Sequence, residues 1–222
     1  MLDLQQKIEK RLRRCLPVLQ NKYGVQRLGL FGNLLRDPTA KPNEIEIVLE
    51  DDQELGLAFF EMQNFIAEQL GYPVTLIYLR NLKPAWKAAI LQEVQFLDDD
   101  HHTSVPISPK KLAQLYLADL QETLTTIATY LRGYSFDDFA HDDLRMDAVI
   151  YNLITLSKIA QRLPESVRRQ APDLPWSQMI ADGARLMENY SELNIAELWN
   201  FCTQELPMMH KKLTALANLA IA

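Results

Sequence analysis

Val25-Gln26-Arg27-Leu28-Gly29-Leu30-Phe31-Gly32-Asn33, followed after a polar loop by Glu44-Ile45-Glu46-Ile47-Val48-Leu49, is the stretch on which the fold turns. The first piece reads as a buried strand that runs into Gly32. In the second, Ile45, Ile47 and Leu49 alternate with Glu44, Glu46 and Val48, the period of a half-buried strand. Side chains two apart on a strand share a face, so Glu44 and Glu46 project together while Ile45 and Ile47 pack inward. The loop between the strands, residues 36–43, carries two prolines. Upstream, Leu4, Ile8, Leu12, Cys15 and Leu19 recur at three and four residues and predict a helix, with a kink or early boundary at Pro17 and a stop at Gly24. Downstream, the pattern predicts a helix over 55–70 ended by Gly71, a third strand over 73–78, and a helix over 84–93 with proline in its first turn. The expected fold of this part is α+β, a mixed sheet with helices packed on it.

The grammar changes after Asp98-Asp99-Asp100-His101-His102-Thr103-Ser104-Val105-Pro106-Ile107-Ser108-Pro109, which is acidic, holds two prolines and has no apolar period. This predicts a first domain over 1–100, a linker over 101–109 and a second domain over 110–222. The second domain reads as all-α. One long amphipathic helix runs from Ser108 to near Gly133, and Ser135 caps a short turn. A second long helix covers Met146–Ala160, and a third runs from Ser177 to Asn189. Helix continues from Ile195 to Asn218, with Pro207 as a kink. Such a series makes an antiparallel bundle.

Composition bounds the function. The 222 residues are 48% hydrophobic and 23% charged, the range of ordinary globular domains. Charge interrupts every apolar run before the roughly 18 residues of a membrane span, and Met1–Arg14 is too polar for a secretory leader. Two cysteines, Cys15 and Cys202, make neither a disulfide framework nor metal-site spacing, so a reducing cytoplasmic location is expected. The net charge of −6 divides evenly between residues 1–100 and 101–222. No basic footprint appears in bulk, which argues against nucleic acid as the main partner.

Leu28-Gly29-Leu30-Phe31-Gly32-Asn33 with Glu44-Ile45-Glu46, then Gly71-Tyr72-Pro73-Val74-Thr75-Leu76 and Leu82-Lys83-Pro84, resembles the minimal nucleotidyltransferase (MNT) family of the polymerase-β type over about residues 8–97. The resemblance implies a triphosphate cradle at Gly32, Asn33 and Arg36, and Mg²⁺ ligands at Glu44, Glu46 and Thr75. The second part resembles the HEPN ribonucleases, the toxin partners of those transferases, over about residues 111–215. Leu131-Arg132-Gly133-Tyr134-Ser135-Phe136-Asp137-Asp138-Phe139, Asp147-Ala148-Val149-Ile150-Tyr151-Asn152-Leu153, Leu174-Pro175-Trp176 and Leu198-Trp199 carry it. That family cleaves RNA with an Arg and a His on one helix. A gapless alignment puts Gly183 at the Arg position, Glu188 at the His position, and Tyr190 at the tyrosine that partner transferases AMPylate.

The departures from both patterns set the functional expectation. Asn33 replaces a serine, Asp37 a glycine, Glu44 and Glu46 two aspartates, and Thr75 a third carboxylate. Each Asp-to-Glu change displaces a ligand oxygen by about 1.5 Å, one bond length, against the strict octahedral geometry of Mg²⁺. In the HEPN-like part the cation and the histidine are both replaced. Arg185 lies two residues from Gly183, about 200° around the helix, and the four histidines, at 101, 102, 141 and 210, are elsewhere. The expectation is a catalytically degenerate MNT–HEPN fusion acting as a binding, scaffold or regulatory protein. It would need no cofactor, would pair as a homodimer through the HEPN-like domain, and would take an unidentified protein partner. Two alternatives stay open. One is a divergent nucleotidyltransferase that uses Mg²⁺ and ATP to transfer AMP to protein or RNA, with Tyr190 as one acceptor. The other is a residual RNA-binding HEPN protein, for which Arg162, Arg168 and Arg169 form a basic cluster.

Overall fold

The protein is described from a computed structural model covering residues 3–37, 42–51, 56, 58–99, 105–188 and 193–221. It divides into two compact units, residues 1–107 and 108–222.

The first unit opens with helix α1 (Leu4–Tyr23). Asp3 caps it: its side chain accepts from the Gln6 amide and the Gln6 side chain accepts from the Asp3 amide, a capping box. Ile8, Leu12, Cys15, Leu19 and Tyr23 form the buried stripe. The helix runs through Pro17 instead of ending there. Pro17 lies on the exposed side, where the carbonyl it leaves unbonded can be met by water. Strand β1 (Val25–Phe31) leads into the short helix α2 (Asn33–Arg36). Next come β2 (Ile45–Asp51), α3 (Ala58–Leu70), β3 (Val74–Tyr78), a 3₁₀ turn (Leu79–Asn81), α4 (Pro84–Glu93) and β4 (Gln95–Phe96). The sheet order is β3-β2-β1-β4. β2 is antiparallel to β1 and parallel to β3, and β4 is antiparallel to β1. The sheet is therefore mixed, and Ile45, Ile47 and Leu49 are fully buried against α1 and α3 residues such as Leu12, Met62 and Ile66. Gly29 lets β4 approach: a Cβ there would sit 2.6 Å from Val94 Cγ2 and 3.0 Å from the Gln95 carbonyl.

Of the stretch expected to be a linker, residues 101–104 lie outside the described residues. The rest is committed to the flanking units. The Val105 amide donates to the Gln92 carbonyl at 2.8 Å, and the Ile107 amide donates to the Glu93 carboxylate at 3.2 Å. Ser108 caps the next helix by accepting from the Lys111 amide.

The second unit is helical: α5 (Pro109–Leu131), α6 (Phe136–Ala140), α7 (Asp143–Arg162), α8 (Glu165–Arg168), α9 (Trp176–Glu188), α10 (Ile195–Asn200) and α11 (Leu206–Ile221). Its core joins Leu120, Leu124 and Ile127 of α5, Val149, Ile150, Leu153 and Leu156 of α7, and Leu213 of α11. Trp176 is locked by its indole N–H, which is shared between the carbonyls of Arg168 and Ala171 at 3.1 and 3.0 Å. Trp199 of α10 stacks in a tilted arrangement on Phe139 of α6, ring centroids 5.4 Å apart. The kink expected at Pro207 takes the form of a π-helical turn, Phe201–Glu205, between α10 and α11. Proline lacks an N–H and its ring would strike the carbonyl four residues back, so widening the preceding turn accommodates it. Among the described residues no helix is long and apolar enough to cross a membrane.

Candidate functional site

Both regions singled out from the sequence can be built from their elements upward. In the first unit β1 ends at Phe31, and Gly32 makes the turn into α2 with φ at 77°, a conformation that disfavours side chains. A Cβ there would also lie 2.7 Å from the Glu46 carboxylate carbon. Glu46 thus fills the hollow above the Gly32 turn with its own negative charge. Glu46 pairs in register with Phe31 on one side and Thr75 on the other. Glu44 falls just before β2 and is exposed, and one of its oxygens accepts from the Thr75 hydroxyl at 2.7 Å. The fold therefore brings Gly32, Glu44, Glu46 and Thr75 together at one end of the sheet.

The donor set does not suit a pair of divalent ions. It holds two carboxylates and a neutral hydroxyl; one carboxylate is engaged by that hydroxyl and the other lies against the glycine turn. Among the described residues no group of three or more His, Cys, Asp or Glu could hold a metal. Arg36, expected beside a triphosphate, is engaged elsewhere. Its guanidinium makes a two-pronged bond to Glu93, Nε to Oε1 at 2.6 Å and Nη2 to Oε2 at 2.7 Å, and the Glu93 side chain is 0% exposed. Asn33 is exposed at the first turn of α2. The pairing of Arg36 with Glu93 had no sequence signal, because the partners are 57 residues apart and Glu93 closes an otherwise ordinary helix.

In the second unit Gly183 is buried at the crossing of α7 and α9. A Cβ added there would run into Ser157 Cβ and Oγ and stand 3.6 Å from Ser157 Cα. The Ser157 hydroxyl donates to the Ile180 carbonyl at 3.0 Å, which fixes the crossing. Small residues on both helices thus close the spot where the alignment puts an arginine. Arg185 is exposed, pairs with Asp182 at 3.5 Å and lines the same pocket as Gly183, although the helical rotation between them predicts opposite faces. Glu188 is the last residue of α9, and Tyr190 lies outside the described residues. His141 interacts with Asp137 near the end of α6, and His210 is on α11.

Beside this crossing lies a pocket of about 490 Å³ between α7, α9, α10 and the π turn. Leu153, Leu156, Met179, Leu186, Leu198 and Phe201 supply its apolar lining; Asp182, Glu197 and Glu205 with Arg185 supply its charge. Among the described residues, three carboxylates against one guanidinium is the wrong sign for a phosphate. The π turn that shapes one wall was legible only as a kink, because widening of a helix leaves no periodic trace. Arg169 of the expected basic cluster is paired to Glu165 at 2.7 Å.

Residues 120–216 match the family described as Ribonuclease HepT-like. The second unit is therefore similar to that family over these residues. Among curated relatives, the probable ribonuclease HepT of Thermococcus cleftensis is 27% identical over 101 residues, 46% of this chain and 92% of that protein. The protein adenylyltransferase MntA of the same organism is 26% identical over 98 residues, 44% of this chain and 98% of that protein. No solved structure matches the chain.

Proposed function

We propose that this chain is a fused nucleotidyltransferase-like and HEPN-like protein whose two catalytic sets are degenerate, and that it acts by binding, as a scaffold or regulator. The observation that carries this reading is the Gly183–Ser157 crossing. A HEPN ribonuclease needs a cation to stabilise the phosphoryl transition state; here the aligned position is buried against a neighbouring helix and the adjoining pocket is rimmed with carboxylates. The first unit supports the same reading. Glu46 lies over the glycine turn, and Arg36 is bound to a fully buried carboxylate. Similarity to an MntA adenylyltransferase over 98 residues favours a nucleotidyltransferase ancestry for part of the chain. We assign the HepT-like unit as the dimerising element, with a protein as the further partner.

Incubation of the full chain with total RNA, without metal and over hours, tests the claim. The RNA is expected to stay intact. Cleavage that disappears in Glu188→Gln would overturn it.

A further inference from the structure

We propose that the outer face of α1 binds duplex nucleic acid through its phosphate backbone, with no readout of base edges. This surface belongs to the first unit and goes beyond the loss of catalysis argued above. The even division of charge between the two halves of the sequence hides a segregated helix. Within Leu4–Tyr23 there are six cations, Lys7, Lys10, Arg11, Arg13, Arg14 and Lys22, against one anion, Glu9. The helix is thus +5, which leaves −11 for the rest of a −6 chain.

At about 100° per residue, Lys7, Lys10, Arg11 and Arg14 fall within an arc of roughly 100°. They are exposed, and the centre of their arc lies roughly 120° from that of the buried stripe of Ile8, Leu12, Cys15 and Leu19. Seven residues at 1.5 Å give a row about 10 Å long. The side chains of Lys7, Lys10 and Arg14 make no hydrogen bond or ion pair among the described residues, while Arg11 reaches the Leu70 carbonyl at 2.6 Å. Glu9 sits roughly 150° from the centre of the arc and accepts from the Gln5 side chain at 2.8 Å, so it does not neutralise the row.

The composition of the face selects the partner. Protein interfaces draw affinity from desolvated aromatic or aliphatic anchors, and single-stranded nucleic acid is held by stacking on aromatic rings. The only aromatic of α1, Tyr23, is buried. Three unpaired cations, Lys7, Lys10 and Arg14, on a face whose one large exposed apolar side chain is Val18 at 45%, match what phosphate contacts require, the release of counterions. The strongly acidic remainder repels the same ligand and would confine contact to this helix.

The test is fluorescence anisotropy of the full chain with a labelled 20-base-pair RNA duplex and a DNA duplex of the same length. Three or four phosphate contacts predict an affinity loss of about 40- to 150-fold between 50 and 200 mM salt. Backbone-only contact predicts that RNA and DNA duplexes bind within about threefold of each other. The variant K7E/K10E/R14E is expected to lose binding at 50 mM salt. The variant K110E/K111E/K158E, with the same change in net charge on exposed residues of the second unit, should retain it. Unchanged circular dichroism in both variants separates lost binding from lost folding. The proposal fails if neither duplex binds at 50 mM salt, if only one does, or if the two variants weaken equally. It also fails if poly-glutamate binds where the duplexes do not, which would mark the face for an acidic protein.

Discussion

Replacing Gly183 by alanine adds one methyl group at a helix crossing, and the sign of its effect separates two accounts of that residue. On an open helix face, alanine is more favourable than glycine by about 1 kcal/mol, because glycine loses more backbone freedom on folding. At the α7–α9 crossing the new Cβ would overlap Ser157 Cβ and Oγ, with Ser157 Cα only 3.6 Å away. Overpacking of this kind costs about 1–3 kcal/mol. The bond from Ser157 to the Ile180 carbonyl is also put at risk, and such bonds contribute about 0.5–1.5 kcal/mol. Against the propensity gain, G183A should be less stable by about 0.5–3.5 kcal/mol. The assay is urea unfolding of the full chain, followed by circular dichroism and by tryptophan emission, since Trp176 and Trp199 both report on the second unit. Removing the obstructing side chain should rescue the variant, so G183A/S157G is expected to be more stable than the sum of the two single changes predicts. A G183A midpoint at or above that of the parent would refute the close crossing and, with it, the reason given for the missing arginine.

Three further outcomes follow from the same packing. Glu93→Ala leaves the Arg36 guanidinium without its buried partner and should cost about 3–5 kcal/mol in chemical denaturation; a cost below about 1 kcal/mol contradicts a buried ion pair. In the second unit, a side-chain hydrogen bond from Ser135 holds the Asp138 carboxyl below the usual 3.8, the Arg145 amide does the same for Asp142, and the Lys212 ammonium for Asp173. Depressed folded values mean stability that is complete above about pH 5 and lost as pH falls further. The thermal midpoint should accordingly fall on acidification below that point, less steeply in Asp173→Asn. Burial raises both thiols, Cys202 to about 12. Neither should react with a water-soluble disulfide reagent in the folded protein, and both should react after denaturation; rapid labelling of the native chain would contradict their burial.

The sequence carried much of this fold because its signals are periodic or punctuated. Alternation in Ile45, Ile47 and Leu49 marks a strand, and Ser108 or Ser135 marks a helix start whether or not the rest of the chain is known. Strand β4 escaped because two residues cannot display a period. The four-residue helix α8 escaped for the same reason. Pro17 misled because its effect depends on which side of the helix faces water. At the candidate sites the sequence supplied the residue types but not their engagements. That Glu44 meets Thr75, that Arg36 is held by Glu93, and that Gly183 rests on Ser157 are contacts across 31, 57 and 26 residues of chain. Such pairings arise from packing, which local patterning does not encode. The basic stripe on α1, by contrast, is present in the sequence, but the acidic residues elsewhere in the same half offset it in the net charge.

The central claim is that neither unit retains a working set of catalytic groups, and the transfer reaction tests it most directly. The full chain would be incubated with α-labelled ATP and manganese, with RNA added, and label counted in the protein and in the RNA. The account predicts counts equal to those of E44Q/E46Q in both fractions. Incorporation that exceeds this variant, and that maps to Tyr190 or to an RNA end, would contradict it.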